Sequence, residues 1–128
     1  MKRMRDLPQA EFEVMDVLWK KGEATIRQVH SVLSTRRKLA YTTVATLLTR
    51  LRDKGYVEAR ERNFAYVFRP LVEREQVVRR KLDDFINRVL GGDLAPLAAY
   101  LVDSRKLTLE QIEALEEIVR CPSEKEGD

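Results

Sequence analysis

Between Tyr41 and Lys54 the chain carries hydroxyls at a spacing suited to reading nucleic acid: Thr42, Thr43, Thr46 and Thr49, followed by Arg50. At about 100° per residue, a helix through this run puts Thr42, Thr46 and Thr49 on one side with Arg50 nearby and Thr43 on the flank. Threonine forms helices poorly, so four of them in one helix need a reason. A threonine is short enough to let a helix backbone approach base edges. Its hydroxyl can bond a base or phosphate, and its methyl can meet the thymine C5-methyl. Arg50 can clamp a phosphate or a guanine, and Tyr41 can reach a backbone phosphate. Arg36, Arg37 and Lys38 precede the helix and would supply sequence-independent affinity. Arg62, with Arg60 and Asn63, offers a second basic point further on. The alternative is a solvated helix face, although Lys and Glu would be the usual choice there.

Other chemistry is thinly provided. His30 reads as an ordinary surface residue and Cys121 as incidental, since its one basic neighbour is Arg120. One histidine and one cysteine leave no His/Cys zinc site, and no metal or cofactor is expected. No carboxylate pair sits in an apolar cleft, and no nucleophile has a local partner. No glycine-rich phosphate loop is present either. An enzyme is therefore disfavoured. A protein-interaction module using the outer face of the threonine helix is the second reading.

The apolar pattern shows what must position these groups. Val44, Leu47, Leu48 and Leu51 follow i, i+3, i+4, i+7 on the side of the helix away from the threonines. Before them, Pro8 opens a helix to about Lys21 bearing Phe12, Met15 and Trp19. Thr25-Ile26-Arg27-Gln28 is a capping-box spacing that starts a short helix to about Ser34. After Gly55 the period changes to 2. Val57–Glu61 and Phe64–Phe68 read as strands, with Arg62-Asn63 as the turn. Phe64, Tyr66 and Phe68 alternate, and all three are expected to cover the core. Helix, short helix, helix, hairpin is the order of a winged helix-turn-helix. The fold class is thus mainly α, an α+β winged helix-turn-helix in residues 1–70.

From 71 to 120 the pattern is helical. Val78, Leu82, Phe85 and Val89 form one stripe, Leu97 and Leu101 a second, and Ile112, Leu115 and Val119 a third. About 50 residues in three helices bury little surface alone, so a second copy of the chain is the expected partner and the region is read as a homodimerisation element. Residues 121–128 read as a disordered tail.

Charge divides the same way. Residues 1–70 hold 15 Lys/Arg against 8 Asp/Glu, and residues 71–128 hold 9 against 13. The basic half suits a phosphate backbone, whereas the acidic half is repelled by it. No stretch approaches the roughly 18 apolar residues of a membrane span, and no apolar region follows the basic start. A cytoplasmic protein with no membrane insertion is the expectation.

The run Ala40-Tyr41-Thr42-Thr43-Val44-Ala45-Thr46-Leu47-Leu48-Thr49-Arg50-Leu51, ending Lys54-Gly55-Tyr56-Val57, resembles the penicillinase-repressor family, the BlaI/MecI/CopY group. Glu13–Trp19, Thr25–Val29, Tyr66–Pro70 and Leu107–Leu115 match as well, so the resemblance covers about residues 5–120. It implies a bacterial repressor that binds a palindromic operator in double-stranded DNA as a homodimer, in a β-lactam-type or other stress response. Thr42, Thr43, Thr46 and Arg50 would make the base and phosphate contacts. In the antibiotic-resistance branch a membrane sensor protease would be a further partner, cutting an Asn-Phe bond. The comparable segment here is Ala99-Tyr100-Leu101-Val102, without that bond. The Cys-x-Cys motifs of the copper-responsive branch are absent too.

Overall fold

The computed structural model describes residues 6–120, without the side chains of Val119 and Arg120. The tail assigned to 121–128, with Cys121, lies outside the described residues. The chain forms two compact units, one extending to Arg80 and the other beginning at Lys81.

In the first unit the order is α1 (Gln9–Lys21), β1 (Ala24–Thr25), α2 (Ile26–Leu33), α3 (Tyr41–Asp53), β2 (Val57–Arg62) and β3 (Ala65–Pro70). Helix α2 starts where its capping box dictates. Thr25 Oγ1 accepts from the Gln28 amide at 3.1 Å, and Gln28 Oε1 accepts from the Thr25 amide at 2.8 Å. Helix α3 ends because Gly55 takes φ +85°, where a side chain would be strained. Its apolar stripe, Val44, Leu47, Leu48 and Leu51, is buried against Val14, Met15 and Leu18 of α1 and Val29 and Leu33 of α2 in one core.

The hairpin is antiparallel, pairing Val57 with Pro70 through to Arg62 with Ala65. The turn is therefore Asn63-Phe64, one residue later than Arg62-Asn63. Both turn residues have left-handed φ, 52° and 64°, as a two-residue hairpin turn of type I′ requires. The expected aromatic cover is also corrected. Phe68 is 5% exposed, but Tyr66 is 57% and Phe64 100% exposed. Tyr66 does share a face with Phe68, but the hairpin has by then run past the edge of the helical layer. Strand β1, only two residues long, has no period to reveal it in the sequence. It pairs Ala24 with Phe68 and Thr25 with Val67, giving the sheet order β1-β3-β2.

Helix α4 spans Arg74–Arg88, and its beginning belongs to the first unit. Val77 is buried in that core, and Trp19 Nε1 donates to the Val72 carbonyl at 2.9 Å. Arg74 Nε reaches Asp16 Oδ1 at 3.2 Å, with its guanidinium over the Phe12 ring.

In the second unit, α5 (Ala95–Asp103) and α6 (Leu109–Arg120) follow the end of α4. Thr108 and Gln111 form the reciprocal side-chain to backbone bonds of a second capping box. No described helix is long and apolar enough to cross a membrane.

Candidate nucleic-acid interface

Helix α3 has two faces with opposite environments. Val44, Leu47, Leu48 and Leu51 are buried, while Thr42, Thr43, Thr46, Thr49 and Arg50 are exposed. The hydroxyl of Thr46 donates to the Thr42 carbonyl at 2.9 Å, and that of Thr49 to the Ala45 carbonyl at 3.0 Å. These bonds to the preceding turn occupy the two hydroxyl protons. They leave an oxygen lone pair and a methyl group to meet a ligand. The face is thus an acceptor and apolar surface, with Arg50 as its donor.

The N-terminal end of α3 is open. Its cap residue is Ala40, which offers no side-chain cap, so the first amides and the positive end of the helix dipole face outward. In the sequence, only the alanine directly before the Tyr-Thr-Thr run marks this open end. Tyr41 stands beside that end, half exposed, with its ring edge-on to His30 at 5.9 Å between centroids.

His30 is more than a surface residue. It is partly buried, and its Nε2 lies 2.8 Å from the Leu39 carbonyl, tying α2 to the segment that leads into α3. The contact spans nine residues across an irregular turn, so no local pattern announced it.

The basic groups divide into paired and unpaired. Arg37 bonds Glu13 of α1 at 2.6 Å, and Arg62 bonds Glu23 at 2.8 Å. Arg36, Lys38 and Arg50 are exposed and have no carboxylate within ion-pair distance among the described residues. Arg60 is exposed and only loosely paired with Glu58, at 3.8 Å. These three cations lie within or just before α3, where an incoming phosphate would meet no internal competitor; Lys20, Lys21 and Arg27 of the same unit also have no ion pair among the described residues.

In the second unit the expected stripes are largely uncovered within one chain. Leu82, Phe85, Val89, Ile112 and Leu115 are exposed, and Leu97 and Leu101 are half-buried. Val78 is half-buried within the first unit, and the side chain of Val119 is outside those described.

Comparison with known proteins identifies the family. The family model described as "Penicillinase repressor" matches residues 7–120. The chain is 29% identical to the methicillin resistance regulatory protein MecI of Mammaliicoccus sciuri, over 89% of this chain and 93% of the relative. It is 43% identical to the transcriptional regulator BlaI of Mycobacterium tuberculosis, over 61% of this chain and 57% of that one. Among solved structures it resembles the monomeric form of Bacillus licheniformis BlaI in complex with the blaP half-operator. That match has a TM-score of 0.51 and 29% identity, over 59% of this chain and 92% of that one.

Proposed function

The chain belongs to the penicillinase-repressor family and is a DNA-binding transcriptional repressor, not an enzyme; from that premise we propose that it acts in the cytoplasm as a homodimer on a palindromic operator. Residues 1–70, with the first turns of α4, form the reading part in this proposal. The helices beyond form the dimerising part, and Leu82, Phe85, Ile112 and Leu115 are covered by the second copy. A regulated target in a β-lactam-type or other stress response follows from what the relatives are named for.

One observation carries the reading. Thr42, Thr46, Thr49 and Arg50 occupy one exposed face of a helix whose other face is wholly engaged in the core. Two such helices on a two-fold axis would meet half-sites one helical turn apart, about 34–36 Å, or a multiple of it. Thr43, Tyr41, Arg36, Arg37, Lys38 and Arg62 would hold the phosphates around them. Arg37 and Arg62 would have to exchange Glu13 and Glu23 for phosphate. Surface pairs of this kind contribute about 0–1 kcal/mol, so the exchange costs little.

Residues 99–102 lie within α5 and lack an Asn-Phe bond, so a sensor protease is not part of this proposal. Selection of bound duplexes from a random-sequence library tests the reading. A palindrome is expected, lost on combined Thr46→Ala and Arg50→Ala substitution while sedimentation still shows a dimer. Unaltered affinity in that variant would overturn the site assignment, and a monomer on one asymmetric half-site would overturn the dimer.

A further inference from the structure

Helix α3 begins without a local anchor. Its cap residue is Ala40, where Ser, Thr, Asp or Asn would be the usual choice, and no side chain caps the first turn. The chain from 34 to 40 is irregular. Its first part is tied to the end of α2, since the amides of Thr35, Arg36 and Arg37 bond the Val32 and Leu33 carbonyls. Beyond that the ties stop. Among the described residues, the backbone of Lys38 and Leu39 receives a single hydrogen bond, from His30 Nε2 to the Leu39 carbonyl at 2.8 Å. The Leu39 side chain packs against the core, which fixes its position. Its carbonyl belongs to the peptide that enters Ala40, so the imidazole fixes the direction in which the chain enters α3.

The ring has a second task. It stands edge-on to Tyr41, with centroids 5.9 Å apart and planes at 66°, a geometry in which aromatic rings attract. Tyr41 is the first residue of α3, and it is exposed together with Thr42 and Thr43, whereas His30 is partly buried. One side chain of α2 thus holds both the peptide that enters α3 and the first side chain that leaves it. The proton that does this is assigned by its partner. A carbonyl only accepts, so the imidazole carries its proton on Nε2. Ser34 Oγ, 3.3 Å from the same nitrogen, is the more distant acceptor. Space filling alone would be met by an aliphatic side chain, as it is at Val29, Val32 and Leu33 on the same helix. An N–H aimed at a carbonyl sets a direction as well.

We infer that His30 is a positioning residue for duplex binding: by donating from Nε2 to the Leu39 carbonyl and bracing the Tyr41 ring, it sets how Tyr41 and Thr42 are presented, without touching DNA itself. It supplies through a tertiary contact the orientation that a capping side chain at position 40 would supply locally. The inference rests on the duplex-binding reading of the chain, in which Tyr41 holds a phosphate.

The test uses the full chain and a labelled mixed-sequence duplex of about 40 base pairs, long enough for two half-sites. His30→Leu keeps the bulk and removes the donor. Its affinity is expected to fall about tenfold, on the scale of one hydrogen bond and one ring contact. The slope of log K against log salt should stay unchanged, because a positioning residue releases no counterion. His30→Gln should recover most of the loss, since its amide nitrogen lies as many bonds from Cα as Nε2. His30→Asn falls one bond short and should bind like His30→Leu. In a Tyr41→Ala background His30→Leu should cost much less, because the two residues act on one contact. Urea unfolding gives the folded fraction of each variant, and if His30→Leu does not fold, the contrast of Gln with Asn carries the test. Binding of a folded His30→Leu within about twofold of the parent overturns the inference, as does a Gln variant no better than Asn. The same loss with and without Tyr41 also overturns it. A salt slope shallower by about one unit in His30→Leu would make His30 a direct phosphate contact and overturn the positioning role. A parent chain that binds no duplex at low salt defeats the DNA reading itself, a result distinct from His30 variants that bind like the parent.

Discussion

Lys54 Nζ lies 2.6 Å from Glu11 Oε1, joining the C-terminal end of α3 to the first turn of α1. Glu11 is the one buried charged side chain among the described residues, at 3% side-chain exposure, and Lys54 is at 17%. The ammonium also donates to the Asp6 carbonyl at 2.9 Å. Lys54 therefore does two things at once. It places a cation at the negative end of the α3 dipole and neutralises a carboxylate that the core has desolvated. The pair ties the C-terminal end of α3 to the first turn of α1.

Replacing Lys54 with Met leaves Glu11 buried without its partner. The expected loss of stability is about 3 kcal/mol, read from urea unfolding. Replacing Glu11 with Leu as well should restore much of that loss, because the stranded charge is then gone. Equal stability of Lys54→Met and the parent would show that the pair does not hold α3.

The threonine bonds within α3 give a sharper prediction. Thr46→Val keeps the side-chain shape and methyl groups and removes the hydroxyl. Thermal stability should change by less than about 1 kcal/mol, since the lost bond is exposed. If Thr46 meets DNA through its methyl, Thr46→Val should bind operator nearly as well as the parent and Thr46→Ser should bind worse. The reverse order in an anisotropy titration would assign the contact to the hydroxyl.

Unpaired and paired cations should behave differently in salt. Arg36→Ala and Lys38→Ala should each make the salt slope shallower by about one unit. In Glu23→Gln, Arg62 no longer has its internal carboxylate, so duplex affinity at low salt should rise. An unchanged affinity in Glu23→Gln would mean that Arg62 does not reach the phosphates.

The junction with α4 also has a measurable consequence. Val77, the Trp19–Val72 bond and the Arg74–Asp16 pair all lie past Pro70. A fragment ending at residue 80 should therefore unfold cooperatively. One ending at residue 70 should lose several kcal/mol, because Trp19 and the core beside Val77 are uncovered. Equal melting temperatures would refute this.

Tyr56 is buried between α3 and β2, and its hydroxyl is pushed above the usual tyrosine range, chiefly by burial, with Arg80 opposing the shift and Asp6 and Glu11 adding to it. A raised pKa in the folded state favours the neutral form. Its contribution to stability is complete below about pH 10 and is lost as pH rises through the folded value. Tyr56→Phe should flatten the fall in stability above pH 10 relative to the parent, measured by urea midpoints.

The sequence by itself determined the first-unit helices, the winged order and the two faces of α3. Each is a local periodicity: Val44, Leu47, Leu48 and Leu51 repeat at 3.6, and Thr25 with Gln28 encodes its own helix start. The exposed C-terminal stripes were legible for the same reason. Tertiary structure alone decided which hairpin aromatics are buried, because period 2 gives a face but not how far the helical layer extends beneath it. Phe68 lies over that layer, and Tyr66 and Phe64 lie beyond its edge. It likewise decided that Arg37 and Arg62 are held by carboxylates while Arg36, Lys38 and Arg50 are not, that His30 grips the Leu39 carbonyl, and that Val77 completes the core of the first unit. Those contacts join residues distant in sequence or separated by irregular chain, where no spacing rule applies and only packing brings the partners together.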